Sequence, residues 1–454
     1  MYDIIIVGAG PGGYVAAIKA AQLGAKVALV EKENIGGVCL NDGCIPTKTF
    51  LKSASVMKTI NKSDFYGIMT TKPTFDWSKI VDRKDKVVKQ LTGGISFLLK
   101  KNKVDVINGF GEVLSSNKVK VGDITYDTKN VIVATGSSPI IPPIEGTKEA
   151  YEKGFLYTSK ELLHIKDVPK KLVIVGGGVI GVEFATVFKT FGSDVTIIEK
   201  LDTILPMMDE DLFKAYTKTL TKEGIKIVTQ AEVTKVLDHQ VTYKHDGKET
   251  TIDADVILMS VGVRPNSKGL EHLNLKMDRA NIITNEYLET SVKGIYAIGD
   301  VNGKYMYAHV ASHEGVVAVN HILGKPTHKM NYDRVPANIY GTPEIASIGL
   351  TEKEAKTRGL DYKVSKVPIQ AVGKALADGE SEGFIKLIVD NKYLEILGAH
   401  IFAYNATELI SEFAVAMQAE ATAYEIAASI HPHPTLSELT FEAALGAIDK
   451  PIHV

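Results

Sequence analysis

Residues 3–32, DIIIVGAGPGGYVAAIKAAQLGAKVALVEK, align without a gap on residues 171–200, KLVIVGGGVIGVEFATVFKTFGSDVTIIEK, at a constant offset of 168. Gly8 falls on Gly176, Gly24 on Gly192 and Glu31 on Glu199. Each copy passes from a β-branched run through a glycine turn and an amphipathic helical stretch into a second apolar run. That order is a βαβ unit, whose strands lie parallel and whose crossover is right-handed. Two such units, so far apart in the chain, predict two separate nucleotide-binding domains of the Rossmann-like α/β kind.

The turns carry the chemistry. Gly8-Ala9-Gly10-Pro11-Gly12-Gly13 fits G-x-G-x-x-G. Gly8 permits the tight turn, Gly10 lets backbone approach a diphosphate, and Gly13 lets helix and sheet pack closely. The diphosphate then meets the amide donors and positive end of the helix. Glu31 closes the second strand, eighteen residues past Gly13, where it can accept from a ribose diol. Gly176, Gly178 and Gly181 repeat this logic with Glu199 as their acid. A carboxylate there repels a 2′-phosphate, and only Lys200 follows at once, so the second site is expected to take NAD rather than NADP. One dinucleotide is read as a fixed flavin and the other as a transient hydride carrier.

Around the copies lie a lysine-bearing helical segment from about Lys48 to Lys101 and strands near Val104–Ile107 and Val131–Ala134. The Pro-rich stretch after ATGSSP marks the first boundary. Beyond Val335, alternating segments (EIASIGL, FIKLIVD, EILGAHI) and an alanine-rich helix over Glu408–Glu420 suggest an antiparallel α+β domain. The expected domains are 1–144, 145–263, a central segment 264–334 that completes the first unit, and 335–454. A formal net charge of −2 gives no reason to expect nucleic acid, and no apolar run is long enough to span a bilayer. The opening residues enter a strand at once, so a targeting segment is not expected and a cytoplasmic setting is.

Cys39 and Cys44, in GGVCLNDGCIPTK, are the only cysteines among 454 residues. Zinc wants four ligands, and no second Cys/His pair has the spacing. Two inert buried thiols fit poorly with Gly36, Gly37, Gly43 and Pro46, which mark turns. A redox pair meets a geometric obstacle. Residues five apart in a regular helix have Cα atoms about 8–9 Å from each other, whereas a bridge needs less than about 7 Å. Bridging therefore requires the helix to begin irregularly, and a Cys44 in its first turn then has a lowered pKa.

GAGPGGY, GGVCLNDGCIPTK, ATGSSP, GGGVIGVEFA, GIYAIGD and HPHPTLSE, in this order over essentially the whole chain, resemble the flavin disulfide reductases. The likeness implies an α/β fold of two dinucleotide-binding domains plus a C-terminal α+β dimerisation domain, with FAD and NAD as cofactors. It implies that Cys39 exchanges with a dithiol and Cys44 passes electrons to the flavin. Lys48 is placed near the flavin and paired with Glu183. Gly111, Thr135 and Gly136 are implied along FAD, with Asp300 and Met306–His309 toward its ribityl side. Val233 and Gly262 are implied at the NAD site.

In the tail motif the likeness implies His433 as acid/base, with Glu438 orienting its ring. His431 is the alternative histidine. Pro432 stands between them, where the family is associated with a small residue. The resemblance is strongest to members that oxidise dihydrolipoyl groups with NAD+. It implies a homodimer whose His433 faces the other subunit's disulfide, and partners bearing lipoyl domains in a 2-oxoacid dehydrogenase complex or glycine cleavage system. Glutathione-type relatives use NADPH, which Glu199 opposes. Another NADH-dependent disulfide reductase, or a non-catalytic dinucleotide-binding scaffold subunit, remains as the alternative.

Overall fold

The computed structural model describes residues 1–454. Both copies of the repeat fold as βαβ units. Tyr2–Val7 and Val27–Glu31 pair in parallel across the helix Pro11–Gln22, and Lys171–Val175 pairs with Asp194–Ile198 across Val179–Thr190. Ile4, Ile5 and Ile6 have no exposure, as expected of a parallel strand covered on both faces.

The first sheet runs Asp105–Asn108, Val27–Glu31, Tyr2–Val7, Ile124–Val133, with Ile295–Ala297 parallel to the last of these. The strand Ile295–Ala297 comes from beyond the second unit, so part of the segment 264–334 packs back on the first. The helix Ala308–Ile322 follows it and lies on Pro11–Gln22 so closely that a Cβ on Gly315 would stand 2.8 Å from the Gly12 carbonyl oxygen. The second sheet runs Lys226–Val228, Asp194–Ile198, Lys171–Val175, Val256–Met259, Leu156–Tyr157. Beside it lies an antiparallel ribbon (Ala231–Leu237, Gln240–His245, Lys248–Asp253) that the sequence patterns did not indicate. Two short antiparallel strands, Ser137–Pro139 and Val263–Pro265, join the units.

The C-terminal unit is a five-stranded antiparallel sheet, Ala337–Ile339, Glu344–Gly349, Ile396–Ala403, Phe384–Asp390, Tyr362–Pro368 in spatial order. The alanine-rich helix spans Ala406–Gln418, and Ala423–Ala428 and Glu438–Ile448 follow. Its core is separate, but a larger core joins all three units: Phe50 and Trp77, with ring centroids 5.2 Å apart, share it with Phe184, Tyr216, Ile345 and Phe402. No helix is long and apolar enough to cross a membrane.

One expectation is corrected. The segment from Lys48 to Lys101 is two helices, Cys44–Asn61 and Trp77–Lys101, not one. Gly67 adopts a left-handed φ of 74° and closes the short turn after the first. Asp76 caps the second by accepting from the Lys79 amide at 3.3 Å.

Candidate active site

The helix breaks between the two cysteines. Cys39 sits on the five-residue helix Gly37–Asn41 and Cys44 is the first residue of Cys44–Asn61. Asp42 and Gly43 leave helical geometry between them, Gly43 at φ −149° and ψ −109°. The break sets aside the spacing a continuous helix would impose and brings the thiols within hydrogen-bonding reach.

They are not equivalent. The hydrogen bond with Cys44, then burial, pushes the Cys39 thiol far up, so this is the sulfur that keeps its proton. The same bond, received by Cys44, lowers that thiol against the opposing effect of burial, and the Lys48 charge lowers it further. The sequence argument assigned the lowering to the helix terminus alone; the larger cause is the neighbouring thiol.

Lys48 lies one turn beyond Cys44. Its ammonium donates to Glu183 Oε1 and Oε2 at 3.0 and 2.8 Å and stands 4.7 Å from the centre of the Tyr340 ring. Burial works against this charge, but Glu183 outweighs it and holds Lys48 above its ordinary range. Glu183, almost wholly buried on the second unit's first helix, also accepts from the Tyr340 amide at 3.1 Å. The pair thus ties the redox helix to both other units.

The residues present fit an FAD beside these thiols. Gly8 turns at φ 108°, and a Cβ on Gly13 would stand 1.8 Å from the Gly8 oxygen, whereas nothing lies within 4 Å of a Cβ on Gly10. Two glycines are therefore there for close packing, and the middle one leaves open space for a diphosphate. Glu31 accepts from the Ala9 and Glu33 amides at 2.7 and 2.8 Å, so it braces the glycine loop. Gly111 packs its backbone on Val7 and Val30. Asn266 staples the Thr135–Gly136 turn: its carbonyl accepts from Thr135 Oγ1 at 2.8 Å, and its amide donates to the Gly136 oxygen at 2.9 Å. Asp300, next on the cleft wall, is raised by burial and has Ser137, at 2.6 Å, as its one side-chain donor. A carboxylate so short of donors suits a polyol. Met306 and His309 flank the start of Ala308–Ile322, with His309 lowered by burial and bonded to the Pro336 oxygen at 3.0 Å.

The second cleft is a close copy. Gly176 turns at φ 107°, a Cβ on Gly181 would lie 2.2 Å from the Gly176 oxygen, and Gly178 again faces open space. Glu199 accepts from the Gly177 and Leu201 amides at 2.6 and 2.8 Å. Gly262, at φ 117°, has nothing within 4 Å. Val233 points its side chain into the core with Val175 and Ile198, which leaves only its main chain for a nucleotide.

His433 and Glu438 form a pair in the C-terminal unit, Nδ1 to Oε1, at 2.9 Å. The His433 side chain is 76% exposed and its Nε2 has no partner in the chain. His431 is different: Nδ1 meets the Ser429 oxygen at 3.0 Å and Nε2 meets Glu412 at 2.8 Å. Both of its nitrogens are engaged, so of the two histidines only His433 has one free to handle a proton.

Sequence reasoning missed Ser137, Asn266, Tyr340, Glu412 and Glu314. Glu314, with no exposure, accepts from the Gly299 amide at 2.5 Å and from Asn302 and Tyr332, and so holds the turn carrying Asp300. Its signal was a lone acid on the apolar face of Ala308–Ile322.

Two dinucleotide folds sharing a wall with a dithiol define a flavoprotein disulfide reductase. The chain belongs to the pyridine nucleotide-disulphide oxidoreductase family: that family's model matches residues 2–315, and its dimerisation domain matches 335–444. Among its relatives, the dihydrolipoyl dehydrogenase of Acholeplasma laidlawii is 69% identical over 332 residues, 73% of this chain and 99% of that one. A dihydrolipoyl dehydrogenase of Bacillus subtilis is 42% identical across 100% of this chain and 99% of its own. LpdA from Mycobacterium tuberculosis superposes with a TM-score of 0.90 at 27% identity, covering 98% and 99% of the two chains. The HOCl-induced flavoprotein disulfide reductase RclA from Escherichia coli gives 0.85 at 29%, covering 98% and 99%. The enzyme is thus an NAD-dependent flavoprotein disulfide oxidoreductase, and its cofactors are FAD and NAD(H).

Proposed function

We propose that this chain is a dihydrolipoyl dehydrogenase that acts as a homodimer, oxidising lipoyl groups carried by a 2-oxoacid dehydrogenase complex or a glycine cleavage system. The observation that carries the reading is the pair of thiols set at a helix break beside Lys48–Glu183, together with an exposed, carboxylate-oriented imidazole. Glu199 supports NAD over NADP.

In the oxidised enzyme Cys39 and Cys44 are joined as a disulfide. His433 Nε2 takes a proton from one thiol of the dihydrolipoyl group, and the resulting thiolate attacks Cys39 Sγ. The Cys39–Cys44 bond breaks, and Cys44 leaves as the thiolate its surroundings favour. His433 then passes the proton it holds to the departing Cys39 sulfur and takes the proton of the second lipoyl thiol, whose sulfur attacks the one joined to Cys39. This closes the lipoyl disulfide and returns Cys39 as a thiol, the form its position favours. Glu438 holds the His433 ring and steadies its charged form. Bound FAD, held by Gly10, Glu31 and Asp300, supplies the two-electron acceptor between dithiol and NAD+.

His433 projects outward with Ile430, which is 99% exposed, and in the homodimer faces the redox pair of the other subunit. A cytoplasmic setting suits a pair that must cycle through thiols; recovery of the activity in a membrane or extracellular fraction would overturn it. The test of function is turnover of dihydrolipoamide with NAD+ by the FAD-loaded dimer. His433→Gln should lower kcat by about 100-fold or more, the range of a lost acid/base. Full activity in that variant, or reduction of glutathione disulfide in preference to lipoamide, would overturn the reading.

A further inference from the structure

His431 has no part in the proton transfer above, yet it is the best-anchored residue in the loop that carries His433. From Ala428 to Pro434, every residue is exposed except His431. Its side chain is 9% exposed. Its Nε2 meets Glu412 Oε1 at 2.8 Å, on the helix Ala406–Gln418. The other oxygen of that carboxylate accepts from Thr440 Oγ1 at 2.9 Å, and Thr440, with no exposure, sits on Glu438–Ile448. One ring therefore pins the loop to two helices, the earlier Ala406–Gln418 and the following Glu438–Ile448. Glu438, which orients His433, lies two residues before Thr440 on the second of them.

From this we infer that His431, through Glu412 and Thr440, is a positioning residue for His433. The inference rests on the reading of His433 as the acid/base. His433 itself has a single partner, Glu438, and the downstream loop is held by Thr435, which donates from its hydroxyl to the Pro432 oxygen at 2.7 Å and from its amide to Glu438 at 3.0 Å. Upstream of Pro432, Ser429 bonds only back onto its own preceding helix, its amide to the Ile426 oxygen and its hydroxyl to the Glu425 oxygen at 2.8 Å, and the His431 ring alone ties the loop to other elements. Freed at that end, the loop lets the His433 ring drift, and a displacement near 1 Å costs on the order of 100-fold in a proton transfer that depends on alignment. The alternating pattern then has a purpose: one histidine points inward to fix the loop, and the next points outward to react.

The test is a double-mutant comparison on the FAD-loaded dimer, with dihydrolipoamide and NAD+ as substrates. His431→Ala should lower kcat by about 10-fold to 100-fold. In the His433→Gln background the same substitution should change kcat less than about 2-fold, because a residue acting through His433 has nothing left to position. His431→Gln, whose amide can still donate to Glu412, should recover most of the rate. Reduction of ferricyanide by NADH needs no proton from His433 and should stay within about 2-fold in the single His431 variants. Losses that multiply in the double variant, or a parallel fall in ferricyanide reduction, overturn the inference and mark His431 as general scaffolding. An unchanged kcat in His431→Ala also overturns it. If His433→Gln alone loses nothing, the functional reading fails instead, so the two failures are told apart.

Discussion

Replacing Lys386 by Met tests how the C-terminal unit is held to the second dinucleotide unit. Lys386 lies on the strand Phe384–Asp390 with its side chain 2% exposed, and its ammonium is 2.9 Å from Asp209, whose side chain is 1% exposed. Asp209 caps the helix Glu210–Lys222 of the other unit. Asp211 at 2.8 Å and Glu352 at 2.6 Å complete the cluster, but they are 36% and 43% exposed and water screens them. The loss therefore falls mainly on Asp209. Breaking a buried pair from one side costs about 3–5 kcal/mol. Asp209 keeps amide donors from Asp211 at 3.1 Å and Glu352 at 3.0 Å, which sets the figure near the lower end, about 3 kcal/mol. At roughly 2–4 °C per kcal/mol, Tm of the FAD-loaded dimer should fall by about 6–12 °C. The pH dependence carries a sign. Burial alone would raise the Asp209 carboxyl, yet His400 and Lys386 bring it below its ordinary range. In the native protein its contribution is full above the unfolded carboxylate value of about 3.9 and is lost as pH falls through the lowered one. Without Lys386 the carboxyl rises from that lowered position, so the Tm deficit should be largest near neutrality and shrink as pH falls through the carboxylate range. Asp209→Asn with Lys386→Met should recover more than half the loss. A scan showing Tm of the single variant within about 2 °C of the native protein, or a deficit that grows on acidification, refutes the argument.

Cys44→Ser should abolish the long-wavelength thiolate–flavin absorption of the two-electron-reduced enzyme, while Cys39→Ser should keep it and lose dihydrolipoamide turnover; identical spectra in the two variants would reverse the assignment. Glu183→Gln removes the main support of the Lys48 charge, so Lys48 should titrate lower and the alkaline fall of kcat should move to lower pH, measured as a pH–rate profile. Glu199→Gln keeps an acceptor for the Gly177 amide but no longer repels a 2′-phosphate, so kcat/KM for NADPH should rise by about 10-fold relative to NADH.

What the sequence discloses and what it hides divide along physical lines. Gly8, Gly13, Gly176 and Gly181 are legible because backbone fills the place of their side chains, a demand no other residue meets. The break before Cys44 is legible because helical rise and a disulfide's reach are both fixed lengths. The split of the Lys48–Lys101 segment was readable in principle from Gly67, Pro73 and the Asp76 cap, but lysines on both sides kept the pattern continuous. Partners distant in the chain leave no local trace: Asp209 and Lys386 are 177 positions apart, Ser137 and Asp300 163. His431 and His433 look alike in HPHPTLSE; only the direction each ring takes separates them.

The difference between the two thiols follows from where the chain breaks. Had one helix run through both cysteines, neither would reach the other, and Cys44 would lose the hydrogen bond that most lowers it. The break alone is not sufficient, because burial opposes a thiolate at Cys44 and also opposes the charge on Lys48. Glu183 restores the Lys48 charge at the cost of a carboxylate that itself raises Cys44. Cys44 ends lowered because the Cys39 bond and the Lys48 charge together outweigh burial and that carboxylate. The arrangement therefore depends on the second unit, which contributes Glu183, as well as on the loop that carries the cysteines. A transplant of GGVCLNDGCIPTK alone into another helix start keeps the Cys39 bond but loses the docked Lys48, so it should narrow the difference between the two thiols without abolishing it, measured by the pH dependence of their alkylation. An equally unequal pair in that setting would show that the loop suffices without Lys48–Glu183 docking.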